Sequence, residues 1–144
     1  MFERILVALD PSPSHESALR LAGALARPAG AEVRVLHVVP SAVAGDTVVT
    51  LENDAEGTAL LDNAVRMLQA TGIKAEGRLA HGLTSLVPSL IFDAAEEFKA
   101  DLLVLSPHHR GPFAALLTPR VSDAIAHTSD IAVLLAPEAP ADQR

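Results

Sequence analysis

The chain has 144 residues, 49% apolar and 20% charged, which supplies the core of one domain and gives no compositional case for disorder. A net charge of −7, with Trp and Tyr absent, argues against a protein that works along the nucleic-acid backbone or stacks bases. Cysteine is absent too, which excludes disulfides, thiol nucleophiles and thiolate metal sites.

No apolar run reaches the ~20 residues that cross a bilayer. Met1-Phe2-Glu3-Arg4 lacks the basic leader of a secretory signal, so the expectation is a cytoplasmic protein that does not touch membranes. Five short runs rich in Val, Leu and Ile read as strands: Arg4 to Leu9, Glu32 to Val39, Ile73 to Leu79, Leu102 to Leu105 and Ile131 to Ala136. The first and fourth do not alternate with polar residues, the pattern of strands covered on both faces. The third does alternate, which suits an edge strand with one wet face.

Helical spacing fills the gaps. The first helix starts near Pro13 or Ser14, buries Ala18, Leu21, Ala22 and Leu25, and stops at Pro28 and Gly30. The second covers about Asp54 to Ala70 and turns Leu60, Leu61, Ala64, Val65 and Leu68 inward. A third spans roughly Leu86 to Phe98, with Ser85 as its cap and Pro88 in the first turn. The fourth begins near Pro119 and ends around His127. Pro40 to Glu52 reads as a long mobile connection and 138–144 as a flexible tail, leaving one domain over 1–137.

This β-α-β-α-β-α-β-α-β order, with right-handed crossovers, predicts a doubly wound α/β fold: a five-stranded parallel sheet with helices on both faces. Ligands of such sheets sit beyond the carboxyl ends of the strands, where strand order reverses. That rule nominates Asp10-Pro11-Ser12, Val38-Val39-Pro40, Ser106 to Gly111, and the start of the fourth helix.

Asp10 is first a turn and cap residue, and second a ribose or metal contact. His108-His109-Arg110 is the most polar cluster, but adjacent side chains diverge, and zinc needs further ligands for which His37, His81 and Asp10 are the candidates. Ser106 to Val121 holds Arg110, Arg120 and two histidines with no acidic residue, inside an acidic chain. With a helix amino terminus nearby, it forms a candidate anion or phosphate site. The alternative is that these arginines pair with surface carboxylates. There is no Gly-x-Ser-x-Gly, no triad order and no Walker loop, so nothing identifies an enzyme.

Taken in order, Arg4-Ile5-Leu6-Val7-Ala8-Leu9-Asp10, Leu36-His37-Val38-Val39, Ala100-Asp101-Leu102-Leu103-Val104-Leu105 and Ile131-Ala132-Val133-Leu134-Leu135 resemble the strands of the universal stress proteins. The resemblance covers about Phe2 to Pro137. It implies a Rossmann-like fold of the adenine-nucleotide alpha-hydrolase type. It also implies a small stress-response or regulatory protein that pairs as a homodimer through its last strand, and an unidentified protein partner is a further expectation.

Many members of that family bind ATP or AMP through a Gly-x2-Gly-x9-Gly-Ser/Thr loop after the fourth strand. On this chain those positions hold Ser106, His109, Pro119 and Arg120. The resemblance assigns Asp10 to the adenosine end, Val38 or Val39 to the adenine pocket, and Val121 and Ser122 to the vicinity of the phosphates. A side chain at His109 disfavours the left-handed backbone open to glycine, and Pro119 has no N–H to give a phosphate. The expectation is no obligatory cofactor, ATP binding weakened or lost, and no catalysis. The alternative is a nucleotide or phosphate sensor in which Arg120 and His108 to Arg110 replace the glycine loop.

Overall fold

The computed structural model describes residues 2–9, 15–50, 54–83, 86–105 and 131–136. Its centre is β1 (Arg4–Leu9), in which every residue from Ile5 to Leu9 is fully buried. Such a strand offers no polar side chain to water, so both of its faces and both of its edges must be covered. Its edges are covered in parallel by β2 (Glu32–Ala44) and β5 (Leu102–Leu105). Beyond them lie β4 (Ala75–Leu83), parallel to β2, and β6 (Ala132–Leu135), parallel to β5.

The faces are covered by helices. Alternate strand residues point opposite ways. Ile5, Val7, Leu9, Val33 and Val35 meet α1 (His15–Ala29) and α2 (Asp54–Ala70) on one side. Leu6, Ala8, Leu36 and Val38 meet α3 (Val87–Phe98) on the other. The doubly wound α/β class expected from the sequence is thus the observed one.

Two expectations need correction. The sheet has six strands among the described residues instead of five, and they are not all parallel. The connection expected over 40–52 contains a hairpin: β2 runs on to Ala44 and β3 (Thr47–Thr50) returns antiparallel beside it. Gly45, at φ +63°, supplies the left-handed residue that a two-residue turn with glycine first requires. Because β4 occupies one edge of β2 as far as Ser41, β3 takes the other edge, the one that β1 occupies lower down. The hairpin therefore stands beyond the carboxyl end of β1.

Helix ends also differ in detail. Pro28 lies inside the last turn of α1 and does not stop it, since one missing N–H near the end removes a single bond; the chain turns at Gly30, φ +67°. The N-cap of α3 is Leu86, without a side-chain hydrogen bond, and the expected cap Ser85 lies outside the described residues. At its other end Lys99 adopts the left-handed conformation, and the Lys99 and Ala100 N–H groups donate to the Glu96 and Ala95 carbonyls. The expected fourth helix (119–127) and the tail (138–144) lie outside the described residues.

At the amino end of the sheet the Asp101 carboxylate accepts the N–H groups of Glu3 (2.8 Å) and Arg4 (3.1 Å). This joins the start of β5 to the start of β1. Nearby, Arg34 lays its guanidinium 4.4 Å from the Phe98 ring centre and donates to Glu76 at 2.9 Å, fastening α3 across β2 and β4.

Gly77, in β4, marks the closest approach of α2 to the sheet: a Cβ there would sit 2.9 Å from Leu61 Cγ and 3.1 Å from Val65 Cγ2. Those are branch atoms near the α2 backbone, so the helix itself must give. Gly82 faces the tip of the Leu90 side chain, which can swing aside. Gly77→Ala should therefore cost about 1–3 kcal/mol in urea denaturation, and Gly82→Ala clearly less. Equal costs would contradict this account of the α2 packing.

Candidate functional site

The chain winds outward from β1 to β2 and β4, then returns to the opposite edge of β1 with β5 and β6. Strand order reverses between β1 and β5, and there the crevice opens, at the ends marked by Leu9 and Leu105.

Val38 is the one expected site residue that the structure describes. Asp10, Ser106, His109, Arg110, Pro119, Arg120, Val121 and Ser122 lie outside the described residues. The side chains of Val38 and Val39 are each 1% exposed, and that of Val38 packs in the layer beneath α3. They form core, not a pocket lining. What Val38 can offer a ligand is its main chain.

The hydrogen bonds fix which way that main chain faces. The Glu32 N–H donates to Glu3 O at 3.0 Å, toward β1, whereas the Val33 N–H donates to Lys74 O at 2.9 Å, toward β4. Alternation along a strand then points the peptide groups of 34, 36 and 38 toward β1. The β1 ladder reaches His37, opposite Leu9, and β3 begins at Ser41. Among the described residues, 38–40 have no strand on this edge. Continuing the ladder would require an N–H from residue 11, which is proline and has none. The Val38 carbonyl is thereby directed to the β1 side of β2, between the end of β1 at Leu9 and the start of the β3 pairing at Ser41.

His37 braces the same corner. It is fully buried on the α1–α2 side, and its Nδ1 lies 3.0 Å from the Leu9 carbonyl oxygen. A carbonyl only accepts, so Nδ1 carries the proton and donates. This bond holds the last described peptide of β1, immediately before Asp10.

His81 and Asp54 form the flank. The His81 Nε2–H donates to Asp54 Oδ1 at 3.0 Å, joining the carboxyl half of β4 to the first residue of α2. Both side chains are more than half exposed, so the pair contributes little to stability. His37 and His81 are thus engaged separately, on β2 and β4. Among the described residues no three His, Cys, Asp or Glu side chains gather around a common point.

The sequence reading missed the hairpin. A usable signal was present: Gly45-Asp46 between Ala42-Val43 and Val48-Val49 is a two-residue hairpin pattern. The orientation of the Val38 carbonyl had no such signal, because register sets it.

Comparison with known proteins agrees with this architecture. The model of the universal stress protein family matches residues 1–137. The universal stress protein A homolog 1 of Coxiella burnetii is 28% identical over 138 residues, covering 92% of this chain and 94% of that protein. A universal stress protein family structure from Burkholderia pseudomallei superposes with a TM-score of 0.69 at 25% identity, covering 94% of this chain and 96% of its own. The universal stress protein of Archaeoglobus fulgidus, solved in complex with dAMP, gives 0.67 at 26%, covering 94% of this chain and 98% of its own. A match of this extent, on a sheet with this winding, makes the chain a member of the universal stress protein family.

Proposed function

We propose that this protein is a non-catalytic, dimeric stress-response regulator whose crevice recognises the adenine of a nucleotide but holds a triphosphate weakly. The observation that carries the reading is the Val38 carbonyl directed to the β1 side of β2, between the ends of the β1 and β3 pairings. A carbonyl accepts a hydrogen bond from an amino group, which adenine has and hypoxanthine lacks. The related Archaeoglobus protein in complex with dAMP supports an adenine nucleotide as the ligand class.

The phosphate end differs from the family pattern. Ser106, His109, Pro119 and Arg120 stand where nucleotide-binding members carry Gly, Gly, Gly and Ser or Thr. Losing one charge-assisted N–H bond costs about 1.5–3 kcal/mol, roughly 10- to 100-fold in affinity. The Arg120 charge offsets part of that loss, so the β- and γ-phosphates should add little.

Calorimetric titration tests both ends. AMP should bind, IMP should bind about tenfold or more weakly, and ATP should bind no tighter than AMP. Restoring the loop (S106G, H109G, P119G and R120S together) should tighten ATP by at least about tenfold. ATP held tightly by the natural chain would refute the phosphate half, and equal binding of AMP and IMP would refute the carbonyl contact. If inorganic phosphate binds and Arg120→Ala abolishes it, the anion-sensor reading replaces this one. His37→Leu should weaken AMP and cost about 1–3 kcal/mol of stability, because the Leu9 carbonyl loses a buried donor.

The dimer reading rests on β6. Among the described residues it pairs with β5 alone, and it exposes Val133 (38%) and Leu135 (45%). An apolar strand with an open edge invites a second copy. Light scattering should give twice the chain mass, and V133R with L135R should give a monomer that remains folded by circular dichroism. A natural chain that is monomeric at tens of micromolar would remove this reading.

A further inference from the structure

α1 and α2 share one face of the sheet and pack on each other at Gly23 and Leu68. Between them runs an outer groove, made of hollows of about 240 and 400 Å³ that share Leu19, Arg20 and Met67 as walls. Gly23, with Leu68 of α2 packed close against it, lies at the floor of the groove, and the exposed Ala24 lies higher on its α1 wall. Met67, 41% exposed, offers a flexible thioether to it. Arg20 and Arg27 stand along the α1 rim, seven residues and hence two helical turns apart, about 10 Å. Arg20 meets only the exposed Glu16, at 3.6 Å, and Arg27 has no ion pair among the described residues.

We propose that this groove docks an acidic amphipathic helix of a partner protein, with apolar side chains against Ala24, Leu60 and Met67 and carboxylates reaching Arg20 and Arg27. Charge selects the occupant. Among the lining residues two arginines, Arg20 and Arg27, outnumber the single carboxylate, Glu16, on a chain of net charge −7, so the groove attracts acidic groups that the rest of the surface repels. Shape agrees. From Glu16 to Arg27 the trough extends about 16 Å, three turns of a helix, and a helix presents carboxylates at i and i+7 on one face. An anionic bilayer is a poor occupant, because a flat surface cannot enter the concave trough. The groove lies on the outer side of the α1–α2 layer, so the proposal goes beyond the nucleotide reading and stands without it.

The chain has two methionines, Met1 and Met67, so methyl-13C methionine labelling places one reporter in the groove. Two 16-residue helical peptides serve as probes, identical along an apolar Leu/Ala face, one with Glu at i and i+7 and the other with Lys. The Glu peptide should shift the Met67 methyl resonance and bind with micromolar affinity. The Lys peptide should be roughly tenfold weaker or worse. R20E with R27E should invert the preference; these residues are exposed, so the variant should fold. Ala24→Trp, which fills the trough from an exposed position, should abolish binding of either peptide. No Met67 shift with the Glu peptide at millimolar concentration, equal binding of the two peptides, or an unchanged preference in the arginine variant would each overturn the proposal. So would a natural dimer disrupted by Ala24→Trp, which would make the groove a self-interface.

Discussion

The fold depends on burying β1 from all sides. Ile5 to Leu9 are fully buried, and a segment of that kind has no stable place at the edge or surface of a small protein. Placing it at the centre requires one helical layer on each face, and the alternation of Ile5, Val7 and Leu9 against Leu6 and Ala8 divides the core accordingly. It also requires a parallel neighbour on each edge, with β2 on one and β5 on the other. Winding out to one edge and back to the other creates the strand-order reversal, so the crevice follows from the burial of one strand.

The two ends of that strand are held differently. At the amino end the Asp101 carboxylate takes two backbone N–H groups of the segment leading into β1, a contact between neighbouring strands that needs no ligand. At the carboxyl end His37 donates to the carbonyl of Leu9, the last described residue of β1. One end is closed by side chain to main chain bonds. The other keeps a main-chain acceptor turned toward the crevice. Under the proposed function, recognition through that acceptor would read the amino group of a base.

The hairpin of β2 and β3 and the groove between α1 and α2 are this chain's less regular features. The hairpin exposes Val43 (64%) and Val48 (61%) beyond the end of β1. The groove sits on the outer surface of one helical layer, outside the place where Gly23 of α1 lets Leu68 of α2 pack close. The arginine-rimmed groove differs in charge from the acidic remainder of the molecule.

Much of this was legible in the residues themselves. Unbroken apolar runs such as Ile5 to Leu9 and Leu102 to Leu105 specify strands covered on both faces, and the alternation from Ile73 to Leu79 marks the edge strand, because side-chain periodicity is a local property. Asp54 to Ala70 was legible as a helix for the same reason. The positions replaced in the glycine loop are likewise covalent facts. Tertiary structure alone decided which edge of β2 receives β3, the inward burial of the Val38 side chain with its carbonyl facing out, and the hydrogen bond from His37 to Leu9. Each depends on strand register and on partners distant along the chain, and no local pattern of residues encodes those.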